Sequence, residues 1–437
     1  MKNWTIRQAA EQWNMPERRV SALCRSGRIC GAVKSGKLWL IPENTPAPLD
    51  GRTKAFAAEK AASHGVSAQT RFAQIYKKSA PYRIFCPTWL CPLGAHIDHQ
   101  SGTICGFAVD KGLHIAYGPK QNGIIEITSL QHEKRAQWHV CDTPEKKQGD
   151  WADHLRGAVW ALSQKYPLHI GLCAVISSDL PLFEQNASAM LTLHFLRSLC
   201  RLNGIKADRT ELFALASQAM QQYMGIHSVL SAQTCLLQCK ADSLLFADLR
   251  SRQYRLYPKA PPFVIGLFYC SQNAADQLNS RIDECRAAAY CLSSFSGCTE
   301  KSLDTITLRD VPKEVFEKHR EKLPEAWQKR SAHFYDEMQR VQRGVLAWQN
   351  ADFRAFGRLM NESCRSSIEN WQISSPALVT LFQTLCQTEG VLGCRFVGTG
   401  YKGCCMALIE SSAAEAVVAK VKCSAALICH LCDGSEL

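Results

Sequence analysis

The chain has 437 residues and a formal net charge of +12, with 46% hydrophobic and 21% charged residues. This length exceeds what one hydrophobic core supports, so we expect two or three domains, and the composition excludes a disordered or fibrous protein. Because no run of about eighteen apolar residues occurs and the first residues lack the features of a secretory signal, we expect a cytoplasmic protein without a membrane contact.

The first fifty residues predict two short helices followed by a hairpin. Thr5 suits the N-cap of the first helix, and Pro16 suits the first turn of a second helix that stops at Gly27. Residues 33–41 indicate two strands joined by a turn at Ser35 and Gly36.

Positive charge is concentrated in this segment. Residues 1–54 hold ten Lys or Arg against four Asp or Glu, a net charge of +6. The order of helix, turn, basic helix and basic hairpin resembles the winged helix-turn-helix of MerR and excisionase proteins, whose second helix enters the DNA major groove. The resemblance implies DNA binding through residues 1–45, in a homodimer because one such unit binds weakly. The expected DNA contacts are Arg18, Arg19, Arg25, Lys34 and Lys37. A module that binds another protein is the alternative.

A second pattern begins near residue 80, after a proline-rich linker predicted over residues 46–79. Strands alternate there with helices, which is typical of an α+β enzyme. The predicted strands are 102–110, 113–119, 124–130 and 171–181, and the predicted helices are 151–166 and 187–204.

The 22 cysteines are scattered, and many lie in apolar runs such as GLCAVI and AALICHLC. Such positions are typical of buried thiols in a reducing compartment. Cys429, His430 and Cys432 leave a metal site open as an alternative. Since no second pair of ligands accompanies them, we expect no metal site.

Five segments form an ordered set of motifs: CPLGAHIDHQSG, DWADHLRGAVWAL, LNSRIDECRAAA, residues 333–378 and GCRFVGTGYKGCCMAL. In this order they resemble galactokinases, of the GHMP superfamily of small-molecule kinases, whose motifs include G-E-H-T-D-Y-N-G-G, W-x-N-Y-x-x-G and Y-N-x-R-R-x-E-C. The resemblance implies an α+β, two-lobed GHMP-kinase fold behind a small winged helix-turn-helix domain. The lobes are expected at residues 80–255 and 256–437.

CPLGAHIDHQSG resembles the sugar loop of that family. The resemblance implies that His96 and Asp98 bind sugar hydroxyls, which suits an imidazole and a carboxylate. A turn whose His and Asp only cap local backbone is the alternative. Ala95 stands at the position of the family's glutamate, and Leu278 at that of its sugar-contacting tyrosine. The family's arginine falls on Trp89 without a gap, or on Arg83 if a short insertion is allowed.

The expected nucleotide loop, PLFEQNASAM, departs from the family pattern P-x-G-x-G-L-S-S-S-A-A. Pro181 and Ser188 are kept, but Phe183 and Gln185 replace both glycines, and Glu184 adds a negative charge. Glycines let backbone N–H groups approach a phosphate, so we expect MgATP to bind poorly in the pose of the family.

The expected catalytic base is also changed. The family segment G-I-M-D-Q carries an aspartate, whereas GIHSVLS has Ser228, whose hydroxyl cannot take a sugar proton at neutral pH. His227 is the alternative base. The C-terminal glycine loop of the family is kept at Gly398, Gly400 and Gly403.

Three functions follow from these motifs. The lost glycines and base favour a degenerate sugar kinase, a pseudokinase that acts as a sugar- or metabolite-responsive transcription regulator without a cofactor. The first alternative is an active sugar kinase that uses ATP and Mg²⁺ with a divergent nucleotide loop. The second is a scaffold that binds neither sugar nor DNA.

Overall fold

The computed structural model describes residues 3–13, 15–25, 29, 32–36, 38–43, 67–131, 134–181, 185–226, 235–270, 277–297, 301–372, 375–398, 400 and 403–435. Within them, the side chains at 22, 23, 25, 33, 35, 134 and 185–189 are not described. The chain forms two compact units, Met1–Val66 and Ser67–Leu437. Among the described helices, none combines the length and the apolar character that a bilayer crossing requires.

The first unit has two helices and a three-stranded antiparallel sheet. Its elements are β1 (Asn3–Trp4), α1 (Ile6–Gln12), α2 (Glu17–Arg25), β2 (Val33–Ser35) and β3 (Leu38–Pro42). β3 is the central strand and pairs with β1 and β2. Thr5 caps α1 as predicted: the backbone N–H of Gln8 donates to its hydroxyl, and the Gln8 side chain accepts from the Thr5 N–H in return. The predicted helices and hairpin are confirmed.

The core of the first unit is small and local. Ala9 on α1 and Val20 and Cys24 on α2 are buried against Ile41 of β3. Every buried residue of this cluster lies between residues 9 and 41, so the first unit has a hydrophobic core of its own.

A mixed eight-stranded sheet forms the first part of the second unit. Its strands are β4 (Tyr82–Leu93), β5 (Thr103–Lys120), β6 (Ile124–Ser129), β7 (Lys134–His139), β8 (Gly171–Ser178), β9 (Ser243–Asp248), β10 (Gln253–Pro258) and β15 (Leu431–Cys432). β5 pairs antiparallel with β4, β8, β9 and β15, whereas β6 runs parallel to β8. The long strand β5 is therefore the centre of this sheet.

A second sheet is purely antiparallel, in the order β12-β13-β11-β14. Its strands are β11 (Phe263–Tyr269), β12 (Val391–Phe396), β13 (Cys404–Glu410) and β14 (Ala425–Cys429). Directly after β14 the chain returns to the first sheet as β15. The boundary predicted at 255/256 falls inside β10, so the two sheets are not separated along the chain as simply as expected.

Ten helices are described in the second unit. They are α3 (Ala68–Tyr76), α4 (Asp153–Ser163), α5 (Gln185–Leu202), α6 (Arg209–Gln218), α7 (Leu278–Phe295), α8 (Lys313–His319), α9 (Glu325–Gln349), α10 (Phe353–Glu369), α11 (Pro376–Cys386) and α12 (Ala414–Lys420). α4 and α5 confirm the two predicted helices. Together with the sheets, these helices confirm the α+β class.

Two expectations need correction. α3 lies inside the predicted linker, and Phe72 is fully buried against Val175 of β8, so the second unit begins at Ser67 rather than at residue 80. The strands predicted at 102–110 and 113–119 are the single strand β5. Gly112 lies between them without interrupting the strand, because a Cβ there would meet the Cys86 carbonyl oxygen at 2.0 Å and only glycine lets β4 approach so closely.

Candidate functional site

The loop after β4 carries both predicted sugar-binding residues. Gly94 enters it with φ +95°, and a Cβ there would lie 2.6 Å from the Ile104 Cα, so the position requires glycine. His96 also has a left-handed backbone, with φ 62°, and its side chain is buried. Asp98 is half-buried and begins the short 3-10 helix Asp98–Gln100. The structure thus brings His96 and Asp98 together on one tight loop.

Trp371 is the centre of a cluster of rings against this loop. Its ring is parallel to that of His96, with centroids 5.3 Å apart, and lies 5.3 Å from His99 and 5.7 Å from His333. The Nε2 atoms of His96 and His99 and the Nε1 atom of Trp371 are buried without a hydrogen-bond partner among the described residues. Three unpaired polar atoms in one buried cluster are suited to a ligand that is rich in hydroxyls.

The imidazoles of this cluster are neutral at pH 7. Burial, together with the nearby His333 and Arg395, holds the pKa of His96 well below its usual value. Burial also lowers the pKa of His99 to about 3, and it lowers that of His333 although Glu337 acts against it. A neutral imidazole offers one donor and one acceptor nitrogen, which matches the two roles of a hydroxyl group.

Two residues of α9 hold the loop by its backbone. The Nε2 atom of His333 lies 3.0 Å from the carbonyl oxygen of Ala95, and since a carbonyl only accepts, Nε2 is the donor. Its Nδ1 atom then accepts from the Ser366 hydroxyl, at 2.9 Å. One turn further along α9, Glu337 Oε1 accepts from the Gly94 N–H at 2.8 Å. His333 and Glu337 are therefore positioning residues for the loop that carries His96.

Glu337 is fully buried, and arginines balance its charge. It is paired with Arg340, lies 4.0 Å from Arg395, and accepts from the Ser363 hydroxyl at 2.6 Å. Burial acts to raise the pKa of Glu337, but Arg340, His333 and Arg395 outweigh it, and the resulting pKa lies below the usual value. Arg395 belongs to β12 and donates to Ser363 at 2.5 Å, so this network joins the second sheet to the loop.

A second group of charges lies close to Trp371. Arg330 is fully buried, donates to Glu284 at 2.7 Å, and has its guanidinium carbon 5.9 Å from the centre of the Trp371 ring. Arg281 shares the same carboxylate at 3.3 Å, and its Nε atom is buried without a described partner. Two guanidinium groups with one carboxylate leave a positive charge next to the ring cluster.

The residues predicted for nucleotide binding lie on two loops. Gly398, Gly400 and Gly403 follow β12 with φ of 56°, 77° and 70°, a conformation that favours glycine. The other loop follows β8: Pro181 is exposed, and Gln185 and Ser188 lie in the first turn of α5. The side chains of Gln185 and Ser188, like Phe183 and Glu184, lie outside the described part of the chain.

Arg83 lies at the far end of β4 from the loop of His96, whereas Trp89 is buried in the middle of that strand. Arg83 is exposed near the start of β4, in register with Ala116, while Gly94 follows the other end of the strand. At a rise of about 3.3 Å per residue, the chain from Arg83 to Gly94 spans up to about 36 Å. Trp89 lies in the core of the first sheet. The predicted bases Ser228 and His227 lie outside the described residues.

Cys429 and Cys432 do not form the alternative metal site. Cys429 packs into the core cluster around β11, whereas Cys432 packs against the larger cluster around β5, and His430 between them is exposed. Burial raises the pKa of both thiols to about 12. In the part of the chain that is described, no cluster of three or more His, Cys, Asp or Glu side chains is arranged to hold a metal.

The predicted DNA contacts lie on the first unit. Arg18 and Arg19 are exposed on α2, beside the buried Val20, and Lys34 is exposed on β2. The Arg25 side chain and Lys37 lie outside the described residues. Two arginines of α2 and a lysine of the hairpin thus face solvent.

No role was predicted from the sequence for His333, Glu337 or Trp371. The spacing H-x-x-x-E in residues 333–337 was a usable signal, since it places both side chains on one face of a helix. No signal pointed to Trp371, which contacts the loop only through the fold.

Comparison with known proteins identifies the class of this fold. The family model "GHMP kinases C terminal" matches residues 345–426. A galactokinase of Lactococcus lactis, solved in complex with galactose, has a similar fold with a TM-score of 0.73 at 20% identity, over 84% of this chain and 98% of that one. The mevalonate kinase of Methanococcus jannaschii is more distant, with a TM-score of 0.55 at 14% identity, over 80% and 98% of the two chains. The second unit therefore has the mixed α+β fold of the GHMP kinases.

Two curated relatives narrow this class. The galacturonokinase of Arabidopsis thaliana is 31% identical over 370 residues, which cover 78% of this chain and 85% of the relative. The galactokinase of Roseiflexus sp. (strain RS-1) is 28% identical over 351 residues, covering 79% and 88% of the two chains. The chain belongs to the galactokinase family of GHMP kinases.

Proposed function

We propose that this protein is an active sugar kinase that transfers the γ-phosphoryl group of MgATP to a hydroxyl group of a hexose or a hexuronic acid. The observation that carries the proposal is the loop of His96 and Asp98, which His333 and Glu337 anchor by its backbone and which keeps the His96 Nε2 atom unpaired. The relatives are named as sugar kinases. The regulator expected from the divergent nucleotide loop has no relative among them that supports it.

The roles of the residues follow from their chemistry. The neutral imidazole of His96 and the carboxylate of Asp98 bind neighbouring sugar hydroxyls. The imidazole donates or accepts a hydrogen bond, and the carboxylate accepts one. Gly398, Gly400 and Gly403 suit the phosphate groups, because glycine backbone with positive φ presents N–H groups without a Cβ in the way. Mg²⁺, when bound, would neutralise charge on the triphosphate.

The charges around the site favour an acidic sugar. Ala95 stands where the sugar loop of the family has a glutamate, so one negative charge is absent beside the hydroxyl-binding residues. Arg281 and Arg330 share the Glu284 carboxylate, and the Arg330 guanidinium lies near the Trp371 ring. An uncompensated guanidinium charge attracts a carboxylate, so a hexuronic acid fits this surrounding better than a neutral hexose does. The relative with 31% identity is named for galacturonate.

The test is a phosphotransfer assay of the full chain with MgATP and a panel that includes galactose and galacturonic acid. We expect turnover, with a higher kcat/KM for the acid. His96→Ala and Asp98→Asn should each lower kcat/KM by about 10- to 100-fold, the cost of one or two hydrogen bonds in a buried site. His430→Ala, at an exposed position, is the matched control and should leave turnover unchanged.

Thermal unfolding in the presence of sugars and nucleotides distinguishes the kinase from the sensor. If sugars raise the unfolding temperature of the chain but no sugar of the panel is phosphorylated, the kinase proposal fails and the sensor is favoured. If there is no turnover and neither sugar nor nucleotide changes the unfolding temperature, both the kinase and the sensor are excluded.

We also propose that the first unit binds DNA, with α2 in the major groove and the hairpin along the backbone. Its support is the exposure of Arg18, Arg19 and Lys34 on these two elements. The phosphate contacts predict that binding weakens steeply with added salt. Because a single unit of this size binds weakly, we expect two copies of the chain on one site.

Fluorescence anisotropy with labelled duplex DNA tests this second proposal. The double variant Arg18→Glu with Arg19→Glu should weaken binding by at least about 10-fold and flatten the salt dependence. Arg7→Glu makes half of this charge change on α1, where Arg7 is exposed beside Glu11, and should have less than half of the effect on the binding free energy. Equal affinities for the parent and the double variant would exclude α2 as the binding helix.

A further inference from the structure

Two thiols are in contact at the end of α11. Cys386 is the last residue of this helix and is half-buried, whereas Cys394 lies on β12 and is fully buried. Their Sγ atoms are 3.5 Å apart. A small oxidant can therefore reach the Cys386 thiol from solvent, and the Cys394 thiol is in contact with it on the buried side.

The surroundings make Cys386 the more reactive of the two. The contact with Cys394 lowers the pKa of Cys386, burial acts against this, and the exposed Arg365 lowers it further. Burial and the contact with Cys386 raise the pKa of Cys394 well above its usual value. Cys386 therefore has the properties of an attacking cysteine, and Cys394 those of the resolving cysteine that stays protonated beside it.

The backbone allows the two sulfur atoms to approach each other. The segment 387–393 joins them through a turn in which the Val391 N–H donates to Thr388 O, and Gly390 has φ +85°. Cys394 is held in place because its N–H donates to the Asn361 side chain at 2.8 Å. Cys386, at the helix end, is the residue that must move for the sulfur atoms to reach a bonding distance of about 2.05 Å.

We propose that Cys386 and Cys394 are a redox-active pair that forms a reversible disulfide on contact with a peroxide. The Cys386 thiolate attacks one peroxide oxygen and becomes a sulfenic acid, while the other oxygen leaves as hydroxide and takes the thiol proton to become water. The Cys394 sulfur then attacks the sulfenic sulfur, the S–S bond forms, and the hydroxyl group leaves with the Cys394 proton as a second water. The two thiols lose two electrons, and one hydrogen peroxide gains them. A dithiol reductant reverses the reaction.

The disulfide would tie α11 to the strand that supports the site. The residue after Cys394 is Arg395, which donates to Ser363 in the network that holds Gly94, and the same strand leads to Gly398. This inference goes beyond the proposed kinase activity and does not depend on it.

Peptide mass spectrometry tests the pair directly in the full chain. Trypsin cleaves after Arg365 and Arg395, and the peptide between them holds Cys386 and Cys394 and no other cysteine. After hydrogen peroxide treatment and alkylation of the remaining thiols, we expect this peptide lighter by two hydrogen atoms and free of alkyl groups. Treatment with dithiothreitol should restore two alkylation sites.

Variants separate the pair from general oxidation. Cys386→Ser and Cys394→Ala should each abolish the internally linked peptide, whereas Cys141→Ser, which removes an exposed cysteine, should leave it unchanged. Should Cys386 be driven to the sulfinic acid in the parent chain, or should Cys394 be linked instead to Cys364 or Cys405, the proposal is overturned.

Discussion

Glu337 holds the charge on which the loop of His96 depends. Its side chain is fully buried between Arg340 and Arg395, and Gly94 and Ser363 donate to it. Glu337→Ala leaves two buried guanidinium groups without this partner, so we expect a loss of about 3–5 kcal/mol in the free energy of unfolding. Urea denaturation followed by circular dichroism measures it.

Glu362 offers the matched control. It pairs with Arg343 at 3.6 Å and lies 4.0 Å from Arg340, and because its side chain is 42% exposed, solvent screens both contacts. Glu362→Ala should cost less than about 1 kcal/mol. Similar losses for both variants would mean that the Glu337 network does not stabilise the fold.

The buried histidines predict a dependence of stability on pH. The pKa values of His96, His99 and His333 are lowered, that of His99 to about 3, so these groups are neutral in the folded state and protonated in the unfolded state below their usual pKa. The unfolded state then binds more protons, and stability falls as pH drops below about 6.5, by up to about 1.4 kcal/mol per pH unit for each group.

Thermal unfolding between pH 7.5 and 5 checks this dependence. His99→Asn should flatten the slope, whereas His430→Asn, at an exposed position, should leave it unchanged. A parent protein whose unfolding temperature is constant over this range would contradict the neutral, buried assignment.

At this scale, local motifs could be predicted and long-range contacts could not. The motif of CPLGAHIDHQSG led to His96 and Asp98 because both are on one short loop. The contacts that His333 and Glu337 make with this loop join residues 238 and 243 positions apart, which no local pattern reports. Arg83 was predicted at the site because the residues around it resemble a family motif. In the structure it lies near the start of β4, at the end of the strand away from the loop of His96.

At the level of elements, α10 and β12 approach each other closely where two glycines face each other. A Cβ on Gly357 would lie 2.1 Å from the Leu392 carbonyl oxygen, and one on Gly393 would lie 2.1 Å from the Gly357 carbonyl oxygen. Gly357→Ala must push the helix from the strand, so we expect a loss of about 3 kcal/mol, at the upper end for overpacking. Chemical denaturation measures the loss.

Gly204 is the comparison for this change. It ends α5 with φ +65°, and a Cβ there would meet nothing within 4 Å. Gly204→Ala should cost only the backbone strain, about 1 kcal/mol. If Gly357→Ala costs no more than Gly204→Ala, the contact between α10 and β12 is looser than the distances indicate.

The elements were predicted where periodicity is strong. α4, α5 and β8 lie within two residues of the predicted ranges at most ends, because each has a continuous apolar face. α3 was missed since proline-rich sequence before it suggested a linker throughout. β5 was predicted as two strands, 102–110 and 113–119, whereas Gly112 between them allows β4 to approach closely and the strand to continue.

For the whole molecule, the separate cores predict separate unfolding. The buried core of the first unit is drawn from residues 9–41, and α3 packs on β8 in the second unit. A chain that begins at Ser67 should therefore keep the unfolding temperature of the second unit and lose any binding to DNA. Differential scanning calorimetry of both chains measures the first effect.

A slightly longer deletion provides the control. Removing residues 1–76 also removes Phe72, which is fully buried, and should cost about 3–5 kcal/mol. If the two deletions unfold at the same temperature, α3 contributes nothing to the second unit.

The family and the fold class could be predicted because five motifs occur in the right order over most of the chain. The loss of kinase activity was inferred from two short segments, and the relatives favour the active kinase instead. A few substituted positions weigh less than an ordered set of motifs over some 350 residues, the length aligned with the Roseiflexus galactokinase.

The two hydrogen bonds between α9 and the backbone of the His96 loop hold that loop in one conformation before any ligand binds. Because the loop is already ordered, binding a ligand there costs little conformational entropy of the protein. The affinity then depends mainly on how well the ligand complements the site. Sugars that bind with different affinities should therefore differ in binding enthalpy, while their binding entropies stay nearly equal. Titration calorimetry with a series of sugars measures both quantities.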